Sequence, residues 1–168
     1  LQETALRLKG MGLHPVFSIA PGLDEASKAM VRDNEAGVEA TEISGRNLMH
    51  ASKFVIGASG TTAVEAMLLN RYMIVLYKGT SLEWRIYKML THTPFVSIPN
   101  VLAGKMMFPE LLQGDARAER ILHYVGLYLH DKDYCDGVHK QIVSNRRLMG
   151  EPGAIQRWAE AISELVNS

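Results

Sequence analysis

Short apolar runs of three to five residues alternate with longer amphipathic stretches along the first hundred positions of this chain. Runs at His14 to Ala20, Val38 to Ile43, Phe54 to Gly57, Met73 to Tyr77 and Phe95 to Ser97 read as strands. Between them the apolar positions recur at helical spacing: Glu3 to Lys9, Leu23 to Asn34, Arg46 to Ala51, Thr62 to Leu69 and Ser81 to His92. Asp24 and Glu25 open the second of these helices, where negative charge is favoured. After Pro99 the pattern is helical almost throughout, over Pro109 to Gln113, Arg117 to His130, Lys132 to Met149 and Ala154 to Val166. Buried strands alternating with helices predict an α/β, Rossmann-like doubly wound parallel sheet, followed by additional C-terminal helices. The expected division is a core over residues 1–115 and a helical part over 116–168.

In such sheets ligands bind outside the carboxyl ends of the strands. Three polar features are expected there: Ser59-Gly60-Thr61, Tyr77-Lys78 and Pro99-Asn100. The first carries the clearest chemistry. Small residues let ligand oxygens approach the backbone, and the first amides of the following helix lack intrahelical partners, which suits a phosphate. Glu65 lies four residues after Thr61, one turn along the same face, where a carboxylate accepts from ribose hydroxyls. The same sequence is also an ordinary helix start, with Ser59 or Thr61 capping an orphan amide.

Composition narrows the classes. At 168 residues the chain is long enough for one domain with a core of its own. Eighteen basic residues balance 18 acidic ones, which argues against a nucleic-acid backbone binder. The single cysteine, Cys135, excludes an internal disulfide framework and fits a reducing compartment. No apolar run approaches the roughly 20 residues of a membrane span. The six histidines are scattered, without metal-ligand clustering, and neither a dinucleotide Gly-x-Gly-x-x-Gly nor a Walker lysine motif is present. Leu1 opens directly in a helical pattern, so the chain is expected to be a piece of something longer.

The block Ala58-Ser59-Gly60-Thr61-Thr62-Ala63-Val64-Glu65-Ala66-Met67-Leu68, continued by Met73-Ile74-Val75-Leu76-Tyr77-Lys78, resembles the donor-binding signature of the lipid-A-disaccharide synthases. The likeness is narrowest at Phe95-Val96-Ser97-Ile98-Pro99-Asn100-Val101-Leu102-Ala103-Gly104-Lys105 and the following Pro109-Glu110-Leu111-Leu112-Gln113. That resemblance implies one half of a GT-B fold, the carboxy-terminal half that holds the UDP part of a UDP-sugar. It implies a glycosyltransferase joining UDP-2,3-diacylglucosamine to 2,3-diacylglucosamine 1-phosphate through a β-1,6 linkage, with release of UDP. No metal or other cofactor is expected, the UDP-sugar being a substrate.

The implied site comprises Ser59, Gly60 and Thr61 as donors to the diphosphate and Glu65 on the ribose. Asn100 is expected on uracil or the donor sugar, and Lys78 near the phosphates. Tyr77, Glu110 and Gln113 are expected at the cleft. Each has a plainer reading: Glu110 as a first-turn acid, Gln113 as a last-turn polar residue, Tyr77 as a strand-end aromatic. Catalytic residues and the family's glycine-serine-arginine loop are expected outside this chain, which alone should bind UDP weakly and catalyse nothing. Expected partners are the two acylated sugars, the cytoplasmic face of the bacterial inner membrane and, through the C-terminal helices with Trp158 and Leu165, the rest of the protein or a second copy in a homodimer. Met106-Met107-Phe108 is expected as an exposed apolar contact, and residues Leu82 to Leu90 as packing or a lipid-facing surface. The alternatives are another UDP-sugar GT-B transferase or an epimerase domain, or a non-catalytic oligomerisation module.

Overall fold

Four successive residues, Tyr72 to Val75, are fully buried, and the larger of two apolar clusters is built around the strand they belong to. The computed structural model describes residues 1–80 and 93–166. That strand, β4 (Tyr72–Tyr77), lies between β3 (Phe54–Ala58) and β5 (Glu110–Leu112), parallel to both. A second parallel pair joins β1 (Val16–Ser18) to β2 (Glu39–Thr41). The protein is thus mixed α/β, with every strand pairing among the described residues parallel, as the alternating pattern predicts.

Among the described residues the α-helices are α1 (Gln2–Gly10), α2 (Glu25–Arg32), α3 (Gly45–Ala51), α4 (Thr61–Leu68), α5 (Ile98–Ala103), α6 (Ala118–His130), α7 (Lys132–Leu148) and α8 (Ala154–Val166). Their starts are chemically ordinary in three cases. Asp24, Ser44 and Asp131 accept from the amides of Ser27, Asn47 and Tyr134 and cap α2, α3 and α7. Helical spacing selects the buried faces. Ala63, Ala66 and Met67 of α4, Ile121 and Val125 of α6, and Val138 and Ile142 of α7 join one core with the central strand. Tyr72 stacks on Tyr128 of α6, with ring centroids 4.2 Å apart, and its hydroxyl meets that of Tyr134 of α7 at 2.9 Å. Helices α6 and α7 therefore share the core of residues 54–111. None of the residues of α8 is buried, and Trp158 and Leu165 are largely exposed.

Two expected elements change places. Residues Phe95 to Ser97 form no strand, because their amides meet a side chain rather than a neighbouring backbone: Val96 and Ser97 both donate to the Glu110 carboxylate. The Pro109 to Gln113 stretch is not a helix. Its backbone completes the sheet, with Val75 N donating to Pro109 O at 2.9 Å and Leu111 buried. Pro99 and Asn100 consequently sit in the first turn of α5 rather than at a strand end. Met107 and Phe108 are buried, not exposed, since both amides are drawn inward to Asn100 Oδ1; Met106 alone of the three remains exposed. The helix expected over Ser81 to His92 lies outside the described residues.

Candidate functional site

Strand register brings three chain segments to one rim. Ala58 pairs with Leu76 and Tyr77 with Leu112, so β3, β4 and β5 reach their carboxyl ends within about one residue of each other. Ser59, Lys78 and Gln113 leave the sheet there side by side. Ser59 continues the ladder by donating its amide to Leu76 O at 3.0 Å.

The mouth of α4 follows directly. Gly60 is its N-cap, with φ 135° and ψ −151°, a conformation essentially reserved for glycine. No side chain caps this helix, so the ordinary N-cap reading of Ser59 and Thr61 does not apply. The amides of Thr61 and Thr62 have no acceptor among the described residues, and Thr61 is exposed. These outward N–H groups and the helix dipole make a local anion-binding surface. Glu65, also exposed, stands one turn further along the Thr61 face. Ser59 plays a different part from the one expected: its hydroxyl donates to Val96 O at 3.2 Å and its amide to Leu76 O, so both donors are spent inside the chain. Thr62 offers an outward amide instead. The signal for it was in the sequence, as the second position of the helix after a glycine.

At the end of β4, Tyr77 is half-buried and engaged within the chain, and Lys78 is exposed. Gln113 adopts φ 52°, rare for a residue with a Cβ, and its Nε2 is buried without a partner among the described residues. A strained backbone beside an unsatisfied donor is a combination that concentrates at binding sites.

Asn100 and Glu110 are brought together, but not towards the rim. Asn100 is fully buried; its Nδ2 donates to Phe108 O (2.7 Å) and Glu110 Oε1 (2.8 Å), and its Oδ1 accepts from the amides of Met107 and Phe108. Its amide capacity is therefore filled internally. The Glu110 carboxylate accepts from Val96 N, Ser97 N, Ser97 Oγ and Asn100 Nδ2 at 2.7–2.8 Å.

No cluster of three or more potential metal ligands is assembled among the described residues. The strongest electrostatic perturbation lies in the core, where burial and the hydrogen bond to Tyr134 push the Tyr72 phenol well above its ordinary range. A cavity of about 280 Å³ lies elsewhere, between α6, α7 and the 106–109 turn, lined by Met106, Tyr124, Tyr134 and Gln141 among others. It contains none of the rim residues.

Comparison with known proteins agrees with the sequence reading. The family model described as lipid-A-disaccharide synthetase matches residues 6–162. The chain is 35% identical over 166 residues to the lipid-A-disaccharide synthase of Anaeromyxobacter dehalogenans, covering 95% of this chain and 43% of the relative. It is 37% identical over 135 residues to that of Acinetobacter baylyi (77% and 33%) and 32% identical over 168 residues to that of Myxococcus xanthus (98% and 44%). The chain thus spans less than half the length of these curated relatives.

Proposed function

This chain belongs to the lipid-A-disaccharide synthetase family, and on that premise we propose that it is the donor-binding part of a metal-independent glycosyltransferase. The observation that carries this reading is the uncapped, glycine-started mouth of α4 with its unpartnered amides at the sheet rim. The amides of Gly60, Thr61 and Thr62 and the Thr61 hydroxyl would hold the diphosphate, with Lys78 adding positive charge. Glu65 would accept from the ribose hydroxyls, and the Gln113 side chain, whose Nε2 is buried in the free chain, would turn outward to donate to the UDP-sugar.

The chemistry proposed is the one implied by the family. A 6-hydroxyl of 2,3-diacylglucosamine 1-phosphate attacks the anomeric carbon of UDP-2,3-diacylglucosamine. The new C–O bond forms as the bond to UDP breaks, and UDP departs with the electron pair. The hydroxyl proton passes to a base in the remainder of the protein. Charge accumulates on the leaving diphosphate, where fixed amides and the helix dipole stabilise it without reorganising. The substrates carry acyl chains, so the reaction belongs at the inner face of the bacterial inner membrane, with the protein peripheral to it. Among the described residues no helix is long and apolar enough to cross a membrane.

Calorimetric titration of the chain with UDP, UMP and ADP tests the reading. UDP is expected to bind with saturable heat, and UMP at least about tenfold more weakly for want of the second phosphate, a difference of about 1.4 kcal/mol. Glu65→Gln should reduce UDP affinity several-fold. Absence of saturable binding, or equal affinity for ADP, would overturn it.

A further inference from the structure

Glu110 stands two residues short of the rim, opposite Val75, while the strand ends at Leu112 opposite Tyr77. At about 3.3 Å per residue that is some 6–7 Å inside the sheet edge. Its four donors come from one short segment and one helix turn: Val96, Ser97 and Asn100. The far side of that same segment is gripped by the site, since Val96 O accepts from Ser59 Oγ at 3.2 Å. Ser59 in turn precedes Gly60, whose unusual backbone sets the direction of the α4 amides.

We infer that Glu110 is a positioning residue for the donor site: it fixes the 96–97 segment, which holds Ser59 and through it the mouth of α4. The carboxylate suits this task and not direct contact. A free carboxylate beside a diphosphate would repel it, whereas one saturated by N–H and O–H donors presents little uncompensated charge. A carboxylate, with two oxygens and no donor, can accept from two consecutive amides and a hydroxyl at once from a single strand position. Asn100 completes the device by tying Glu110 to the Met107–Phe108 backbone, which anchors the segment in the core.

This inference rests on the UDP-binding reading for only one arm of its test. In that arm, Glu110→Gln, which replaces one acceptor by a donor facing a donor, should weaken UDP binding about tenfold, as for loss of one or two charge-assisted hydrogen bonds. In a Ser59→Ala background the same change should cost less than about twofold more, because the linkage is already cut. Losses that multiply in the double variant would show that Glu110 acts independently of Ser59 and overturn the inference. The second arm needs no ligand: in the amide NMR spectrum, Glu110→Gln should shift Val96 and Ser97 together with Ser59 to Thr62, leaving β1 and β2 in place. Unmoved Ser59 to Thr62 amides would overturn it. If Glu110→Gln does not fold, Ser97→Ala removes only the 2.7 Å hydroxyl bond, and the same amide criterion applies. A wild-type chain that binds no UDP sinks the functional reading and leaves the amide shifts to decide the positioning role.

Discussion

Asn100 Nδ2 donates to Glu110 Oε1 at 2.8 Å, joining the first turn of α5 to the first residue of β5. The same side chain also satisfies the amides of Met107 and Phe108 and the carbonyl of Phe108. Asn100→Ala therefore strands the Met107 and Phe108 amides and the Phe108 carbonyl at a fully buried position, while Glu110 Oε1 keeps its bonds from Ser97. Each orphaned buried group costs about 1–3 kcal/mol, with partial relief as the turn relaxes, so a loss of about 3–5 kcal/mol is expected. Urea unfolding measures it. A loss below about 1 kcal/mol would mean that the turn is held by packing alone.

That network also shows where sequence and structure part. The β3–α4–β4 unit is legible because short continuous apolar runs and a stretch of helical spacing flank a small polar turn, and each pattern agrees with local propensity. β5 was not, because Glu-Leu-Leu suits a helix as well as a strand; only pairing with Val75 to Tyr77 decides it. Phe95 to Ser97 has strand-like composition, but a carboxylate 13 residues along the chain replaces the neighbouring strand. Asn100 is expected as a ligand contact because it follows Pro99 at an expected strand end, whereas in the structure it lies in the first turn of α5 and its amide serves the fold. Which partner it meets is a long-range fact that no local pattern carries. Gly60, by contrast, lies in a run of small residues before a helix, and its φ of 135° is one that glycine adopts without strain.

Gly60→Ala separates conformational cost from crowding. A Cβ built at this position meets nothing within 4 Å, so the substitution introduces no clash. The cost comes from holding an L-residue at φ 135°, about 1–3 kcal/mol. The α4 mouth is expected to relax toward an allowed conformation and turn its amides aside. Thermal melting should fall by several degrees, and UDP affinity should fall by more than the stability loss alone explains. A variant with unchanged melting would show that the angle is not required.

The buried phenol of Tyr72 gives a pH dependence of definite sign. Burial, followed by the Tyr134 hydrogen bond, raises its folded pKa above that of the unfolded chain. Below about pH 10 the group is neutral in both states and nothing is lost. Above it the unfolded chain ionises while the folded one does not, so stability falls as pH rises, by up to about 1.4 kcal/mol per unit for this group. Burial raises Tyr134 and Tyr128 as well, and they steepen the fall. Tyr72→Phe should cost about 1 kcal/mol at pH 7, for the lost hydroxyl pair, and should lose stability more gently than wild type between pH 10 and 11. Urea midpoints at pH 7, 10 and 11 decide it, and parallel slopes would refute the assignment.

Gln113→Gly sets stability against binding at one position. The native residue holds φ 52° and a buried Nε2 with no partner among the described residues, both of which destabilise the free chain. Glycine relieves the left-handed backbone, about 1–2 kcal/mol, and removes the orphan donor, against the added entropy of a glycine in the unfolded chain, about 0.4–1 kcal/mol. A net gain of about 1 kcal/mol is expected. If the strain is kept because the side chain meets the donor, the stabilised variant should bind UDP or the UDP-sugar several-fold more weakly. Gln113→Asn tolerates the same backbone but reaches less far, and it should lose affinity without the gain in stability. A glycine variant that is more stable and binds equally well would remove Gln113 from the site and leave the α4 mouth, Lys78 and Glu65 to hold the nucleotide.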